Sequence, residues 1–219
     1  MIDLINVSKT YKNGVHAIKN LTLHIDNGEF VYIIGPTGSG KSTVIRLLDG
    51  EEIPDEGIVK VEGVDVGNLK FKRVPYYRRN IGVVFQDYRL LPKKTVFENI
   101  AFALECIGMS KSQIRGRTRE VLELVSLENK ARSFPNELSG GQQQRATIGR
   151  AIANKPKVLI ADEPTGNLDK ETENEIIDIL TSLAHDDDKC VIIISHSTKI
   201  KEKVDVLYYL VNGKLEDSK

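Results

Sequence analysis

The run Gly-Pro-Thr-Gly-Ser-Gly-Lys-Ser-Thr at positions 35–43 gathers three glycines, one lysine and four hydroxyl side chains. It matches G-x-x-x-x-G-K-[ST], follows the apolar run Phe30–Ile34 and opens a helical pattern over Lys41–Leu48. An ordinary Gly/Ser turn is the plain alternative, but strand, loop and helix in that order are the context a phosphate cradle requires. Gly35, Gly38 and Gly40 let the backbone curl so that N–H groups point at phosphate oxygens. The helix N-terminus adds positive partial charge. Lys41 would neutralise β- and γ-phosphates, and Ser42 would offer a hydroxyl to Mg²⁺. Pro36, Thr37, Ser39 and Thr43 complete the loop expected around the phosphates.

A second station lies in Lys-Val-Leu-Ile-Ala-Asp-Glu-Pro at 157–164, an apolar strand ending in two carboxylates. Asp162 falls at the C-terminal tip of that strand, where open α/β sheets place ligands. It is the expected acid on the metal side. Glu163, one residue on, points elsewhere and is placed to polarise a water for in-line attack on the γ-phosphate. Two idle, solvated acids are the alternative, and the upstream glycine loop argues against it.

The elements that must position these groups can be read from periodicity. Strands are expected at Ile2–Val7, Leu21–Ile25, Phe30–Ile34, Ile58–Val61 and Ile81–Phe85, with turns at Asn13-Gly14, Asn27-Gly28 and Glu62-Gly63. Apolar residues at helical spacing predict helices over Thr95–Ile107 and Lys111–Val125, separated by Gly108. A third is expected over Gln142–Ala153, so that 90–155 is mostly helical. Alternation then returns: strand Val158–Ala161, helix Glu171–His185, strand Cys190–Ile194 and strand Val204–Leu210 before Asn212-Gly213. Buried apolar strands separated by helices indicate a parallel sheet covered on both faces. The charged run 185–189 reads as a loop.

Leu-Ser-Gly-Gly-Gln-Gln-Gln-Arg at 138–145 decides the class. Here, with both phosphate-site motifs in order around it, the chain resembles the ATP-binding-cassette family. The resemblance implies a P-loop NTPase fold: a mainly parallel α/β core, a small antiparallel β subdomain and a helical subdomain inserted at roughly 90–155 of a single domain 1–219. It implies Mg²⁺-dependent ATP hydrolysis, with Ser42, Gln86 and Asp162 on the metal. It also implies a homodimer formed around ATP. In that dimer Ser139, Gly140, Gly141 and Gln142, at a glycine-rich helix start, cap the γ-phosphate held by the other copy. Tyr11 matches the aromatic that stacks on adenine, although a plain surface tyrosine is the alternative. Gln86 matches the glutamine that contacts metal and attacking water. Asp169 matches the loop that crosses the dimer interface, and His196 the histidine that senses the γ-phosphate. Catalysis would then fall to Glu163, His196, Gln86 and Lys41.

The resemblance runs from about residue 2 to 215. Two departures are Ser197, where many relatives have Asp or Asn, and Thr-Gly-Asn-Leu-Asp (165–169) in the interface loop. Glu-Pro-Thr-Gly-Asn-Leu-Asp marks a branch containing lipoprotein-release, macrolide-efflux and FtsE cell-division ATPases. Segments 74–105 and 133–145 look most like the FtsE group. That likeness implies an integral membrane partner resembling FtsX, control of peptidoglycan hydrolases during division, and a place on the cytoplasmic face of the cell membrane. A partner's coupling helix would dock at 86–110, where Leu90, Leu91 and Pro92 lie beside Arg89, Lys93 and Lys94. A hinge with a solvated basic edge is the alternative there. Two other functions stay open: the motor of an exporter, and a soluble cassette protein outside the membrane. The second is disfavoured by a single cassette without a long heptad run.

Bulk properties fit this reading. The chain has 219 residues, enough for one sizeable domain with an insert. With 31 basic and 31 acidic residues it lacks a whole-chain nucleic-acid footprint, and no nucleic-acid partner is expected. Cys106 and Cys190 are far apart and show neither disulfide nor zinc spacing, which suits a reducing compartment. No apolar run approaches the roughly 20 residues of a spanning helix, and no signal-like run opens the chain. The membrane is therefore expected to be reached only through the partner.

Overall fold

The computed structural model describes residues 2–166, 168–185, 189–196 and 203–216. Two long strands, β1 (Ile2–Thr10) and β2 (His16–Ile25), pair antiparallel. With β4 (Glu56–Val61) and β5 (Val64–Asp65) they form a sheet of order β2-β1-β4-β5. β2 starts five residues before the expected Leu21. Its first half buries Ala17 and Ile18 side by side, and Lys19 and Asn20 are exposed where the register with β1 shifts. Asn6 and Asn20 take positive φ at the register shifts, where asparagine tolerates a left-handed backbone.

The second sheet has the order β10-β9-β3-β8-β7-β6. Its strands are β3 (Phe30–Ile34), β6 (Ile81–Val84), β7 (Val158–Asp162), β8 (Cys190–Ser195), β9 (Val206–Val211) and β10 (Lys214–Glu216). All neighbours run parallel except the β9–β10 hairpin, which turns at Asn212-Gly213 with both φ positive. Both faces are covered, and period-two alternation explains how. Phe30, Tyr32 and Ile34 enter one core with Leu159, Ala161, Val191 and Ile193. Val31 and Ile33 enter the other with Val158, Ile160, Ile192 and Ile194.

Helix α1 (Lys41–Leu48) follows β3 at the expected bounds. A short α2 (Val74–Tyr77) precedes β6. Between β6 and β7 lie α3 (Val96–Cys106), α4 (Lys111–Leu124) and α5 (Gly140–Ile152), which pack together. Each opens with a reciprocal capping box: Thr95/Glu98, Ser110/Gln113 and Ser139/Gln142. The last of these starts α5 two residues before the expected Gln142, because Ser139 caps the helix and the glycine pair occupies its first turn. Helix α6 (Lys170–His185) joins β7 to β8.

Candidate functional site

The strand order brings the site together. β3, β8, β7 and β6 are adjacent and parallel, so their C-terminal ends share one edge. They deliver the glycine loop, His196, Asp162 with Glu163, and Gln86 respectively. Tyr11, Thr37, Gly38, Gly40, Lys41, Ser42, Thr43, Gln86, Asp162, Glu163 and His196 line one cleft of about 510 Å³, a volume suited to a small ligand.

The loop is built around close backbone approaches. A Cβ on Gly35 would lie 2.0 Å from the Leu210 carbonyl oxygen, and one on Gly40, whose φ is +108, 2.4 Å from that of Ala17. Neither position admits another residue without moving the chain. The Ser39 hydroxyl is 2% exposed and has no hydrogen-bond partner among the described residues. Lys41 Nζ donates to the carbonyls of Gly35 (2.7 Å) and Pro36 (2.9 Å), folded over its own loop. Burial lowers its pKa, while the carboxylates of Glu163 and Asp162 push it back up.

Asp162 is raised above the ordinary carboxylate value, first by burial and then by the neighbouring Glu163 charge, with Lys41 opposing. A divalent cation beside Asp162 would relieve that repulsion. Among the described residues no group of three or more His, Cys, Asp or Glu side chains is arranged to hold a metal. The groups in the cleft that could hold one are the Asp162 carboxylate, the Ser42 hydroxyl and the Gln86 amide. That matches an ion which keeps few protein ligands and takes the rest from phosphate and water.

Because the folded pKa of Asp162 exceeds its unfolded value, the fold binds that proton more tightly. Stability from this group is therefore lost as pH rises from the unfolded carboxylate range through the folded pKa. Asp162→Asn is thus expected to raise the thermal midpoint of the nucleotide-free protein at neutral pH, and to abolish the extra stabilisation Mg²⁺ adds to ATP. A thermal melt series from pH 4 to 8, with and without ATP and Mg²⁺, reads both effects.

Glu163 takes positive φ (+47) and its carboxylate is fully engaged. One oxygen accepts the Ser195 hydroxyl at 2.5 Å. The other accepts the His196 backbone N–H at 2.9 Å and faces His196 Nδ1 at 2.7 Å. The glutamate side chain is 12% exposed and the imidazole 64%. Glu163 thus lines the cleft with both oxygens hydrogen-bonded, and rotation of the His196 side chain would release only the imidazole contact. Tyr11 touches α1 through its hydroxyl, 3.2 Å from Thr43 Oγ1.

Ser139, Gly140, Gly141 and Gln142 do not line this cleft. Ser139 and Gly140 are exposed at the start of α5, where Ser139 Oγ accepts the Gln142 N–H at 3.3 Å. Gly141 is packed so closely on Thr172 that a Cβ would lie 2.2 Å from its methyl group. Asp169 binds the same threonine: its carboxylate accepts the N–H groups of Glu171 (3.1 Å) and Thr172 (3.0 Å) and the Thr172 hydroxyl (2.8 Å). These bonds, led by the Thr172 N–H, hold its pKa low. Asp169 therefore caps α6 within its own chain. Asn167 and Ser197 lie outside the described residues.

Three features escape a reading by motif. Ser195 on Glu163 is one. The second is a clamp from α5 on the segment after Gln86. Tyr88 and Arg89 both take positive φ, and their carbonyls accept Thr147 Oγ1 (3.1 Å, to Tyr88) and the Arg150 guanidinium (3.0 Å to Tyr88, 2.5 Å to Arg89). The third is Asn99, fully buried. It receives the Leu91 N–H at 2.7 Å and donates to the carbonyls of Leu91, Lys94 and Thr95. Asn99 sits among Val96, Ile100 and Leu104, and a polar residue at a buried helical position was its only signal.

A second depression of about 580 Å³ lies between the sheet and the helical insert, lined in part by Val83, Phe85, Leu91, Phe102, Cys106 and Ile107 with Arg78, Arg79 and Arg150 around it. The apolar rim differs from expectation in one respect. Leu90 is half-buried against the core, while Leu91 lines the groove and Pro92 is exposed. Arg89 lies over the Phe85 ring at 3.8 Å.

Residues 18–166 match the ABC transporter family. The chain belongs to that family and is an ATPase of it, with the P-loop α/β fold that the strand order and glycine loop define. Over 82% of its length it is 55% identical to the cell division ATP-binding protein FtsE of Streptococcus pneumoniae, covering 78% of that protein. Over 98% it is 42% identical to the methionine import ATP-binding protein MetN of Helicobacter acinonychis, covering 66% of it. The fold superposes on a dimeric post-hydrolysis state of the ATP-binding cassette MJ0796 bound to ADP and Pi, with TM-score 0.90 and 38% identity, covering 100% of this chain and 98% of that one.

Proposed function

We propose that the chain is the ATPase subunit of a cell-division machine, acting as one cassette over 1–219 with a helical insert at roughly 90–155. Two copies would clamp two ATP molecules, each site pairing one glycine-loop cleft with the other copy's Ser139–Gln142 helix start. The exposure of that helix start, away from its own cleft, supports the shared site. The observation that carries the division role is the 55% identity to FtsE.

The chemistry is positioning and charge stabilisation. Magnesium, held through Ser42 and Asp162 and reached by Gln86, would draw charge from the phosphates as a Lewis acid. Lys41 leaves its loop carbonyls for the β- and γ-phosphates. The water oxygen attacks the γ-phosphorus, the bond to the ADP oxygen breaks, and Glu163 takes the water proton. His196 is the trigger: drawn to the γ-phosphate, its imidazole leaves the Glu163 oxygen that the His196 N–H still holds, opening a position for the water, while Ser195 keeps the other oxygen fixed. Tyr11 would lie on the adenine.

Among the described residues no helix is long and apolar enough to cross a membrane. The groove between sheet and insert, apolar within and ringed by arginines, suits an amphipathic helix of an integral membrane protein. The partner would resemble FtsX, place the dimer at the cytoplasmic face of the membrane and control peptidoglycan hydrolases. Identity to MetN along nearly the whole chain supports a second reading, the motor of a transporter. Capture of the Glu163→Gln protein from native membranes with ATP and Mg²⁺, read by mass spectrometry, separates them. An FtsX-like protein with wall hydrolases is expected. A permease with a substrate-binding protein would move the chain to transport.

A further inference from the structure

Segment 69–80 reads Leu-Lys-Phe-Lys-Arg-Val-Pro-Tyr-Tyr-Arg-Arg-Asn, with five cations and no acid in a chain of zero formal charge. It is firmly mounted. Tyr77 is buried and its hydroxyl donates to the Leu48 carbonyl at the end of α1. Leu69 packs on the core beneath β4 and α1, and the Asn154 amide donates to the Arg79 carbonyl.

What this rigid segment displays is unusual for a surface. Phe71 is 91% exposed and Tyr76 63%, with the Arg79 guanidinium 4.7 Å over the Tyr76 ring. Lys70, Lys72 and Arg73 flank Phe71, are all exposed, and make no ion pair among the described residues. Phe71 lines neither the nucleotide cleft nor the groove proposed for the membrane partner. The segment nevertheless continues into that groove, because Pro75, Arg78 and Arg79 form part of its wall.

We propose that this segment is a lipid-contact element. Phe71 would seat at the headgroup–acyl boundary of an anionic bilayer while Lys70, Lys72 and Arg73 pair with its phosphate-bearing headgroups. A protruding ring with no cavity around it needs a soft medium to enter, and unpaired cations around it suit a diffuse negative surface. One ring and a few cations give weak, reversible attachment, which a membrane partner in the adjoining groove would reinforce. The chain then meets the membrane directly as well as through its partner. Only the orientation of this face toward the membrane rests on the partner reading. Lipid binding is measured on the chain alone and fails or stands separately.

The chain has no tryptophan, so Phe71→Trp supplies a single reporter. With vesicles of 70% phosphatidylcholine and 30% phosphatidylglycerol, F71W emission is expected to shift blue and to be quenched by brominated lipid. Vesicles of pure phosphatidylcholine should leave it unchanged. In flotation of otherwise wild-type protein, Lys70→Glu with Lys72→Glu and Arg73→Glu should weaken binding about 100-fold, at roughly fivefold or more per cation. All four positions are exposed, so an unchanged thermal midpoint shows that these variants fold. F71W emission unmoved by anionic vesicles, or equal flotation of the triple variant, overturns the proposal. So does a shift produced by poly-glutamate or a single-stranded oligonucleotide but not by vesicles, which would assign the patch to an acidic segment or a nucleic acid.

Discussion

Glu163→Gln is expected to lower ATP turnover by about a thousandfold while leaving ATP affinity nearly unchanged. General-base catalysis contributes about 10²–10⁴, and the amide cannot accept the water proton. Affinity survives because Glu163 contacts Ser195 and His196, not the glycine loop. The substitution also replaces one Glu163 oxygen by an NH₂ group. That group cannot accept both the His196 N–H and the imidazole, or else cannot accept the Ser195 hydroxyl. Part of the loss is therefore misplacement, read as a fall in kcat with KM unchanged. With hydrolysis blocked, the ATP-bound dimer should accumulate on a sizing column. A wild-type rate would remove Glu163 from the role of base and leave Asp162 as the nearest alternative.

Lys41→Ala is expected to raise the Kd for ATP about 100-fold. A hydrogen bond to a charged group contributes about 1.5–3 kcal/mol, and 1.4 kcal/mol is tenfold in affinity. In the nucleotide-free protein Lys41 satisfies the carbonyls of Gly35 and Pro36, so part of its binding energy replaces bonds already made. Gly35 is half-buried and Pro36 exposed, so their carbonyls can turn to water and the fold should survive. Titration with a fluorescent ATP analogue reads the change. A Kd within threefold of wild type would mean that the loop's N–H groups carry the phosphates without the lysine.

Much of this was legible because the motifs sit on the least ambiguous elements. The bounds of β3 and α1 follow from five consecutive apolar residues and the glycine loop between them. β7 and β8 are likewise continuous apolar runs, so Asp162 and His196 could be placed at strand ends before any coordinates. β2 was half missed because Ala17 and Ile18 are buried side by side and the polar pair Lys19-Asn20 falls at a register shift, so no alternation marks it. The start of α5 was set by a cap, and Ser139 was read for its anion-binding role before its helix-capping one. The contacts on the site were hidden for a different reason. Ser195 to Glu163 spans 32 residues and Arg150 to Tyr88 spans 62. Neither pairing leaves a local pattern; each exists only because β7 lies beside β8 and α5 lies over the end of β6. Leu90 looked like part of an exposed rim because the buried Asn99 that organises 91–95 was not visible as such.

If each site is built from two copies, two variants that each break one half of it should rescue one another. Ser139→Arg keeps the glycine-loop cleft and blocks the opposing helix start; Lys41→Ala does the reverse. Each variant alone should be nearly inactive, and Ser139→Arg should still bind ATP. In a 1:1 mixture half the dimers are mixed, and each of those holds one intact site of two. ATPase activity is expected to return to about a quarter of wild type. Activity no greater than the sum of the two variants, at every mixing ratio, would contradict it.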